Sequence, residues 1–207
     1  MSVMSIGEWT PPDRPLTVDD LPDMPDDGRR FELVDGRLDV SPAPVGDHST
    51  VEHRLSWWLQ TNAPDDVRVF GTVGINFNAE RTHHRIPDAA VFRWKDYEHP
   101  YQTRPPLLAV EVLSPESALR DFNTKWAEYA KFGIEAYWVI SPTRGRPGIV
   151  EYRLDGENYV EKEMVYGTDV FTTDFPFPVS FAPHWLVADD PAWRKHIGGP
   201  ADGGAAG

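Results

Sequence analysis

Short apolar runs along the chain predict the strands of a buried sheet. Runs of four or more apolar residues without strict alternation are typical of strands that are covered on both faces. Residues 67–77 predict one strand, interrupted by a glycine-containing turn. The others are IPDAAVF at 86–92, LLAVEVL at 107–113 and AYWVIS at 136–141, of which we expect the first two to be neighbours in the core.

Two further segments predict β-hairpins. FELVDGRLDVSP at 31–42 carries two strand-like halves around Asp35-Gly36. IVEYRL and YVEKEMV, within 149–165, flank Asp155-Gly156 in the same way. An Asp-Gly pair between two strand-like runs is a strong hairpin signal, because the tight turn requires residues that tolerate positive φ.

Apolar residues recur at helical spacing in two places. In residues 46–62 they form one face, made of Val51, Leu55, Trp58 and Leu59. The second helix is predicted to begin at Ser114-Pro115, since serine is a favoured N-cap and proline a favoured first helical residue, and to end near Phe132, before Gly133. This order of elements predicts an α/β fold with a mixed sheet flanked by helices.

Composition and charge favour one acidic domain. The chain has 207 residues, of which 40% are hydrophobic, and it has no cysteine, so disulfides and thiolate metal sites are excluded. We expect an exposed, acidic, proline-rich leader at 1–29, an α/β domain at 30–188 and a flexible, glycine-rich tail at 189–207. The net charge of −13 argues against a broad basic surface but leaves a local phosphate site open.

The sequence also bears on compartment and assembly. No run approaches the length of a membrane helix, and the N-terminus lacks the basic and apolar regions of a signal peptide. We therefore expect a cytoplasmic protein with no membrane partner. The oligomeric state is left open, and a homodimer is compatible with the sequence.

An acidic residue stands inside one of the apolar strands. Glu111 follows four consecutive apolar residues, and a carboxylate in a nonpolar interior is costly unless it is paired, hydrogen-bonded or bound to a metal. Asp88 lies in the strand expected beside it. Two carboxylates on adjacent strands can hold one divalent cation such as Mg²⁺, which prefers oxygen ligands.

A lysine on the following helix favours the same region. Lys125 lies at the edge of the apolar stripe of that helix, from where its ammonium can extend along the sheet toward the carboxylates. Asp121, one turn earlier, can pair with it. The stripe consists of Leu119, Phe122, Trp126, Tyr129 and Ala130.

Each of these residues also has an ordinary structural explanation. Glu111 alone is compatible with a buried acid paired to an arginine, Asp88 with a turn or strand cap, and Lys125 with a solvated helix lysine. Their combination is what favours a site.

The ordered set of segments resembles the Uma2 family of endonucleases, a branch of the PD-(D/E)XK nuclease superfamily. The resemblance spans residues 30–180 and rests on FELVDGRLDVSPAPVGDHS (31–49), RIPDAAVF (85–92) and LLAVEVLSPESALRDFNTKWAEYAKFGIEAYWVIS (107–141). It implies a restriction endonuclease-like fold, metal-dependent hydrolysis of phosphodiester bonds, and DNA as the substrate.

The resemblance implies roles for the matching residues. Asp88 and Glu111 match the two acids of the family and, with the backbone carbonyl of Val112, are expected to hold Mg²⁺ or Mn²⁺. The superfamily's usual lysine, two residues after the second acid, is replaced by Leu113. Lys125 matches a lysine that has moved to the next helix.

Several accessory residues are expected on the same grounds. Glu32 matches a family acid in the N-terminal hairpin that completes the metal shell, although a cross-strand charge pair explains it equally well. His48 matches a histidine at the start of the first helix, where packing or capping is the alternative. Asp121 and Tyr129 are expected to assist the site from the second helix.

Two arginines, Arg81 and Arg85, lie just before Asp88 in ERTHHR (80–85). They predict contacts with substrate phosphates, and a solvated loop is the other interpretation.

The sequence therefore predicts a Mg²⁺-dependent endodeoxyribonuclease. The alternative is a catalytically inactive nuclease-fold module that binds a protein or nucleic-acid partner, which the acidic composition favours. A glycosidase with a pair of carboxylates also uses two acids, but it gives no reason for Lys125.

Overall fold

The computed structural model describes residues 10–44, 46–114 and 120–198, with the side chains of 120–123 left out. The chain divides into two compact units. The first consists of Met1–Pro44, Val73–Ile86 and Glu98–Arg104, and the second of Val45–Thr72, Pro87–Tyr97 and Pro105–Gly207.

Runs of strands separated by a few helices follow one another along the described ranges. The strands are β1 (Arg30–Val34), β2 (Arg37–Ser41), β3 (Val67–Gly71), β4 (Ile75–Asn76), β5 (His84–Arg85), β6 (Ala89–Arg93), β7 (Leu108–Val112), β8 (Ala136–Ser141), β9 (Gly148–Asp155), β10 (Asn158–Tyr166), β11 (Phe171–Thr173) and β12 (Val179–Phe181). The α-helices are α1 (Asp47–Asn62), α2 (Arg120–Phe132), α3 (His184–Val187) and α4 (Trp193–His196).

The first unit contains a four-stranded antiparallel sheet in the order β2-β1-β5-β4. The hairpin predicted at Asp35-Gly36 is confirmed, with φ values of 50° and 77° at the two turn residues. Both values lie in the left-handed region, which glycine and aspartate tolerate better than most residues. A Cβ at Gly36 would also lie 2.4 Å from the Cβ of Pro15, so this turn requires glycine.

The acidic segment before this sheet is held against the first unit. Leu16, Val18 and Met24 are buried, and the N–H of Leu16 donates to the carbonyl of Gly36. Five of its six aspartates are exposed: Asp13, Asp19, Asp23, Asp26 and Asp27. The acidic side chains thus face solvent as expected, while the apolar residues between them are packed.

The second unit contains a six-stranded sheet in the order β10-β9-β8-β7-β6-β3. Strands β7 and β8 are parallel and the other neighbours are antiparallel. On one face, α1 buries Val51, Leu55 and Leu59 in a core shared with alternate residues of β6 and β7. The predicted mixed sheet, and the hairpin around Asp155-Gly156, are confirmed.

Helix α2 packs on the opposite face, where the ring of Tyr129 meets that of Tyr137 edge-on at 5.3 Å. It ends as predicted, because Gly133 has φ of 93° and its N–H donates to the carbonyls of Tyr129 and Ala130. The predicted helix start at Ser114-Pro115 lies at the border of residues 115–119, which are outside the described ranges.

The end of the described chain is packed. Trp193 and Ile197 are buried, and the Trp193 ring lies edge-on to Trp57 at 5.3 Å. Residues 189–198 therefore differ from the flexible tail expected there, because two large apolar side chains among them join the core. Residues 199–207 are outside the described ranges, and the domain limits 30 and 188 stay a prediction.

In the described ranges, no helix combines the length and apolar character that a bilayer crossing requires.

A buried histidine in the first unit makes its stability depend on pH. His84 is 1% exposed, and its Nδ1 lies 2.7 Å from Oδ1 of Asn76. Burial lowers its pKa to about 4, against a smaller opposing effect of the Glu32 charge. The neutral imidazole is therefore the form that fits the folded chain.

The pKa of His84 predicts a loss of stability in mild acid. Between pH 6.5 and 4 the unfolded chain binds a proton that the folded chain does not, so the stabilisation is complete above pH 6.5 and is lost as pH falls toward 4. We expect wild type to lose up to ~3 kcal/mol relative to His84→Gln across this window. Urea unfolding at several pH values measures the difference.

The exposed His99 supplies the control for this measurement. The His99→Gln variant is expected to follow the wild-type curve. Parallel pH curves for wild type and His84→Gln would show that the buried imidazole does not set this dependence.

Candidate active site

Asp88 and Glu111 come together at the ends of two neighbouring strands. Ala89 of β6 is paired with Val110 of β7, and the same register carried one residue further places Asp88 opposite Glu111. Asp88 is 2% exposed, and its Oδ2 accepts the backbone N–H of Val112 at 2.7 Å. The Asp88 carboxylate is thus fixed to the adjacent strand beside Glu111.

Glu111 projects to the face of the sheet that α2 covers. The alternate residues Leu108, Val110 and Val112 belong to the core under α1, so Glu111 points the other way. Its Oε1 accepts hydrogen bonds from Nζ of Lys125 at 3.0 Å and from the hydroxyl of Tyr129 at 2.6 Å. These two donors show how a carboxylate is tolerated within an apolar strand.

The two donors belong to one face of α2. Lys125 and Tyr129 are four residues apart, so their side chains lie one above the other on the helix. The structure therefore brings the predicted lysine to Glu111, and Tyr129 contacts the same carboxylate. The side chain of Asp121 is outside the described part of the chain, so its predicted pairing with Lys125 stays a prediction.

Helix α1 brings a second group of ligand atoms to Asp88. Nε2 of His48 lies 3.2 Å from Oδ2 of Asp88, and Nδ1 of His48 lies 3.9 Å from Oε2 of Glu52. One ligand atom from each of these three residues lies within 4.8 Å of the others. The two carboxylates supply oxygen donors of the kind that Mg²⁺ and Mn²⁺ prefer, and the imidazole adds a nitrogen donor.

Sequence reasoning missed Glu52. The signal that could have found it was its spacing of four residues from His48 on a predicted helix, which places both side chains on one face. Glu52 and Asp88 are far apart in the sequence, and nothing in the sequence indicated that α1 would lie over the end of β6.

Tyr137 lies beneath these acids and is fully buried. Burial raises the pKa of its phenol well above the ordinary value, and the negative charges of Glu111 and Asp88 add to the effect. Tyr137 therefore remains a neutral phenol that supports Tyr129 through its ring and does not act as a base.

Glu32 has its contacts within the first unit. Its carboxylate accepts from Nη1 of Arg85 at 3.0 Å and from the N–H of Ile86 at 2.7 Å. Arg85 is also paired with Asp39 at 3.0 Å, and its side chain is buried. This network accounts for the position of both residues in the sheet, and their predicted roles in metal and phosphate binding stay predictions.

Arg81 forms an ion pair with Asp19 in the same unit. Its φ of 61° places it in the left-handed region of a turn, and its N–H donates to the carbonyl of Asn78. Its predicted contact with substrate phosphates stays a prediction.

Comparisons with known proteins agree with this architecture. The family model described as "Uma2: Putative restriction endonuclease" matches residues 18–186. The crystal structure of a "putative nuclease belonging to DUF820" from Anabaena variabilis ATCC 29413 is similar, with a TM-score of 0.61 and 22% identity over 78% of this chain and 90% of that one. At that identity the likeness shows a shared fold.

No match was found among curated proteins. The family model nevertheless covers well over half of the chain, including both strand acids and the helix that carries Lys125. The chain therefore belongs to the Uma2 family, whose members are described as putative restriction endonucleases.

Proposed function

We propose that this chain is a metal-dependent endonuclease that hydrolyses phosphodiester bonds in DNA. The observation that carries the proposal is the arrangement of Glu111, whose Oε1 is held by Lys125 and Tyr129, beside the buried Asp88. Family membership supports nuclease chemistry, and the description of the family as restriction endonucleases favours DNA.

The donor groups around Asp88 fit one divalent cation, Mg²⁺ or Mn²⁺. We assign as its ligands Asp88, Glu111 through Oε2, and the carbonyl of Val112. His48 and Glu52, whose ligand atoms lie within 4.8 Å of one from Asp88, supply further donors from α1. A cation held there would polarise the scissile phosphate and lower the pKa of a bound water.

Lys125 supplies positive charge next to the reacting phosphate. Its ammonium carries three N–H donors, one of which goes to Glu111. We assign to the others the attacking water or the phosphate oxygen on which charge develops. The proposal requires a compact ammonium, since a planar guanidinium would direct its donors differently.

Tyr129 and Asp88 hold this arrangement in place. The Tyr129 hydroxyl holds Oε1 of Glu111 on the α2 side, and we assign the other carboxylate oxygen to the cation. The N–H of Val112 fixes Asp88 in turn. Preorganised groups of this kind need no rearrangement when the charge on the phosphate changes.

The first prediction concerns the cation. Mn²⁺ or Mg²⁺ is expected to raise Tm, because a ligand that binds the folded state stabilises it by mass action. His48→Gln is expected to weaken Mn²⁺ binding about tenfold or more, since it removes the imidazole that lies 3.2 Å from Asp88. Thermal melting across a Mn²⁺ titration measures both effects.

The control for that prediction is on the same helix. His53 is exposed on α1. The His53→Gln variant therefore removes an imidazole from the same helix but leaves His48, Glu52 and Asp88 unchanged. Equal Mn²⁺ affinities for the two variants would remove His48 from the metal site. A wild-type Tm that neither Mn²⁺ nor Mg²⁺ raises would count against the metal site as a whole.

The second prediction separates catalysis from metal binding. Lys125 lies on α2 and not on β7 with Glu111, so Lys125→Ala is expected to keep the fold and most of the cation affinity. Cleavage should fall by about 10²-fold or more, because the charge next to the phosphate is lost. Lys125→Arg should restore little. Initial rates on single- and double-stranded DNA and RNA with Mg²⁺, Mn²⁺ or EDTA test this.

Lys131, exposed in the last turn of α2, provides the matched control. Lys131→Ala is expected to cut like wild type. A Lys125→Ala enzyme as fast as this control would refute the proposed mechanism. Binding of nucleic acid without cleavage under every metal condition would instead favour the inactive binding module.

A further inference from the structure

Three aromatic rings form a row at the free edge of the six-stranded sheet. The rings of Phe70 and Tyr97 are stacked with centroids 4.5 Å apart and planes 10° apart. The rings of Tyr97 and Trp94 follow at 5.9 Å and 7°. The three planes are therefore nearly parallel, and we name this set the aromatic row.

The outer member of the aromatic row faces solvent. Trp94 is 53% exposed, which is unusual for a ring of this size. The guanidinium of Arg68 lies 4.6 Å from the centre of its ring. Because this guanidinium lies over the ring, the exposed part of the indole and the guanidinium plane together form the surface onto which another flat, electron-rich ring system can stack.

The aromatic row runs toward the acids of the candidate site. Strand β3 is the edge strand, and Phe70 is paired with Ala90 of β6, two residues after Asp88. The N–H of Thr72, two residues beyond Phe70, donates to the carbonyl of Asp88. Trp94 follows directly after β6, so the row extends from the outer end of that strand to its Asp88 end.

Phe70 of the aromatic row points to the same face of the sheet as Glu111. Val67 and Val69 of β3 pack in the core under α1, so Phe70 between Val69 and Gly71 points to the opposite face. By the same alternation Glu111 of β7 points to that face. An extended ligand bound along the aromatic row would therefore approach the side of the sheet on which Lys125 contacts Glu111.

Charges around the aromatic row balance. The row is carried by residues 65–70 and 93–97. The cations of these two segments are Arg68, Arg93 and Lys95, and their acids are Asp65, Asp66 and Asp96. Among the described residues none of the three cations forms an ion pair, and the carbonyl of Asp65 accepts from Arg68. Recognition here would depend on ring stacking more than on attraction to phosphates.

We propose that the aromatic row is a stacking platform for the unpaired bases of a single nucleic-acid strand, which it guides to Asp88 and Glu111. The inference rests on the proposed nuclease function and adds a substrate class to it: single strands or unpaired ends. Aromatic rings stack on any base, whereas the bases of a continuous duplex are already stacked on one another and offer no open faces.

Binding in EDTA tests the platform without cleavage. A fluorescently labelled oligothymidine is titrated with wild type, Trp94→Ala and Trp94→Phe, and anisotropy gives Kd. Trp94→Ala is expected to raise Kd by about 5- to 150-fold, the range for loss of one stacked base, and Trp94→Phe should recover much of this. A duplex should bind each variant equally weakly, and Kd should depend only shallowly on salt.

Met164 on β10, the other edge of the same sheet, is 43% exposed and gives the control variant Met164→Ala. It is expected to bind oligothymidine like wild type. An unchanged Kd for Trp94→Ala would overturn the platform, as would a change in self-association alone or an equal loss of duplex binding. Loss of binding in Trp94→Ala with no cleavage by wild type in any metal would leave the platform standing and remove the nuclease function.

Discussion

A single oxygen atom, Oε1 of Glu111, joins strand β7 to helix α2 in the candidate site. It belongs to a strand whose neighbours are apolar, and it accepts from Lys125 and Tyr129 of the helix that follows. Charge-assisted hydrogen bonds of this kind are each worth about 1.5–3 kcal/mol, and their loss would leave a poorly solvated carboxylate. The position of α2 on the sheet is therefore tied to these two hydrogen bonds.

A second constraint acts across the sheet. The carboxylate of Asp88 accepts a hydrogen bond from the N–H of Val112. A side chain therefore holds the end of β7 just beyond the last backbone pair between β6 and β7. Helix α1 reaches the same carboxylate through His48. Strand β7, the start of β6 and helix α1 thus meet at Asp88. This explains why the potential metal-ligand atoms lie close together although the elements that carry them are far apart in the sequence.

Much of this arrangement could be predicted from local patterns. The Asp35-Gly36 turn, the stop at Gly133 and the edge position of Lys125 on its helix follow from residue type and spacing alone. The approach of Glu52 to Asp88 and the partners of Arg85 could not be predicted. Glu52 is brought within 4.8 Å of Asp88, which precedes β6, by helix packing. Arg85 pairs with acids on another pair of strands. Such contacts depend on three-dimensional placement, which no sequence period encodes.

The doubled donation to Glu111 has a consequence for motion. Tyr129 is fully buried and its ring is fixed against Tyr137, whereas Lys125 is a long chain nearer the start of α2. If Lys125 turns toward a phosphate, the Tyr129 hydroxyl still holds the same oxygen. In the proposed mechanism the carboxylate would then keep this hydrogen-bond donor while the Lys125 ammonium shifts toward the phosphate. In the proposed mechanism, Tyr129 would thus keep the Glu111 carboxylate in place when the hydrogen bond from Lys125 lengthens or breaks.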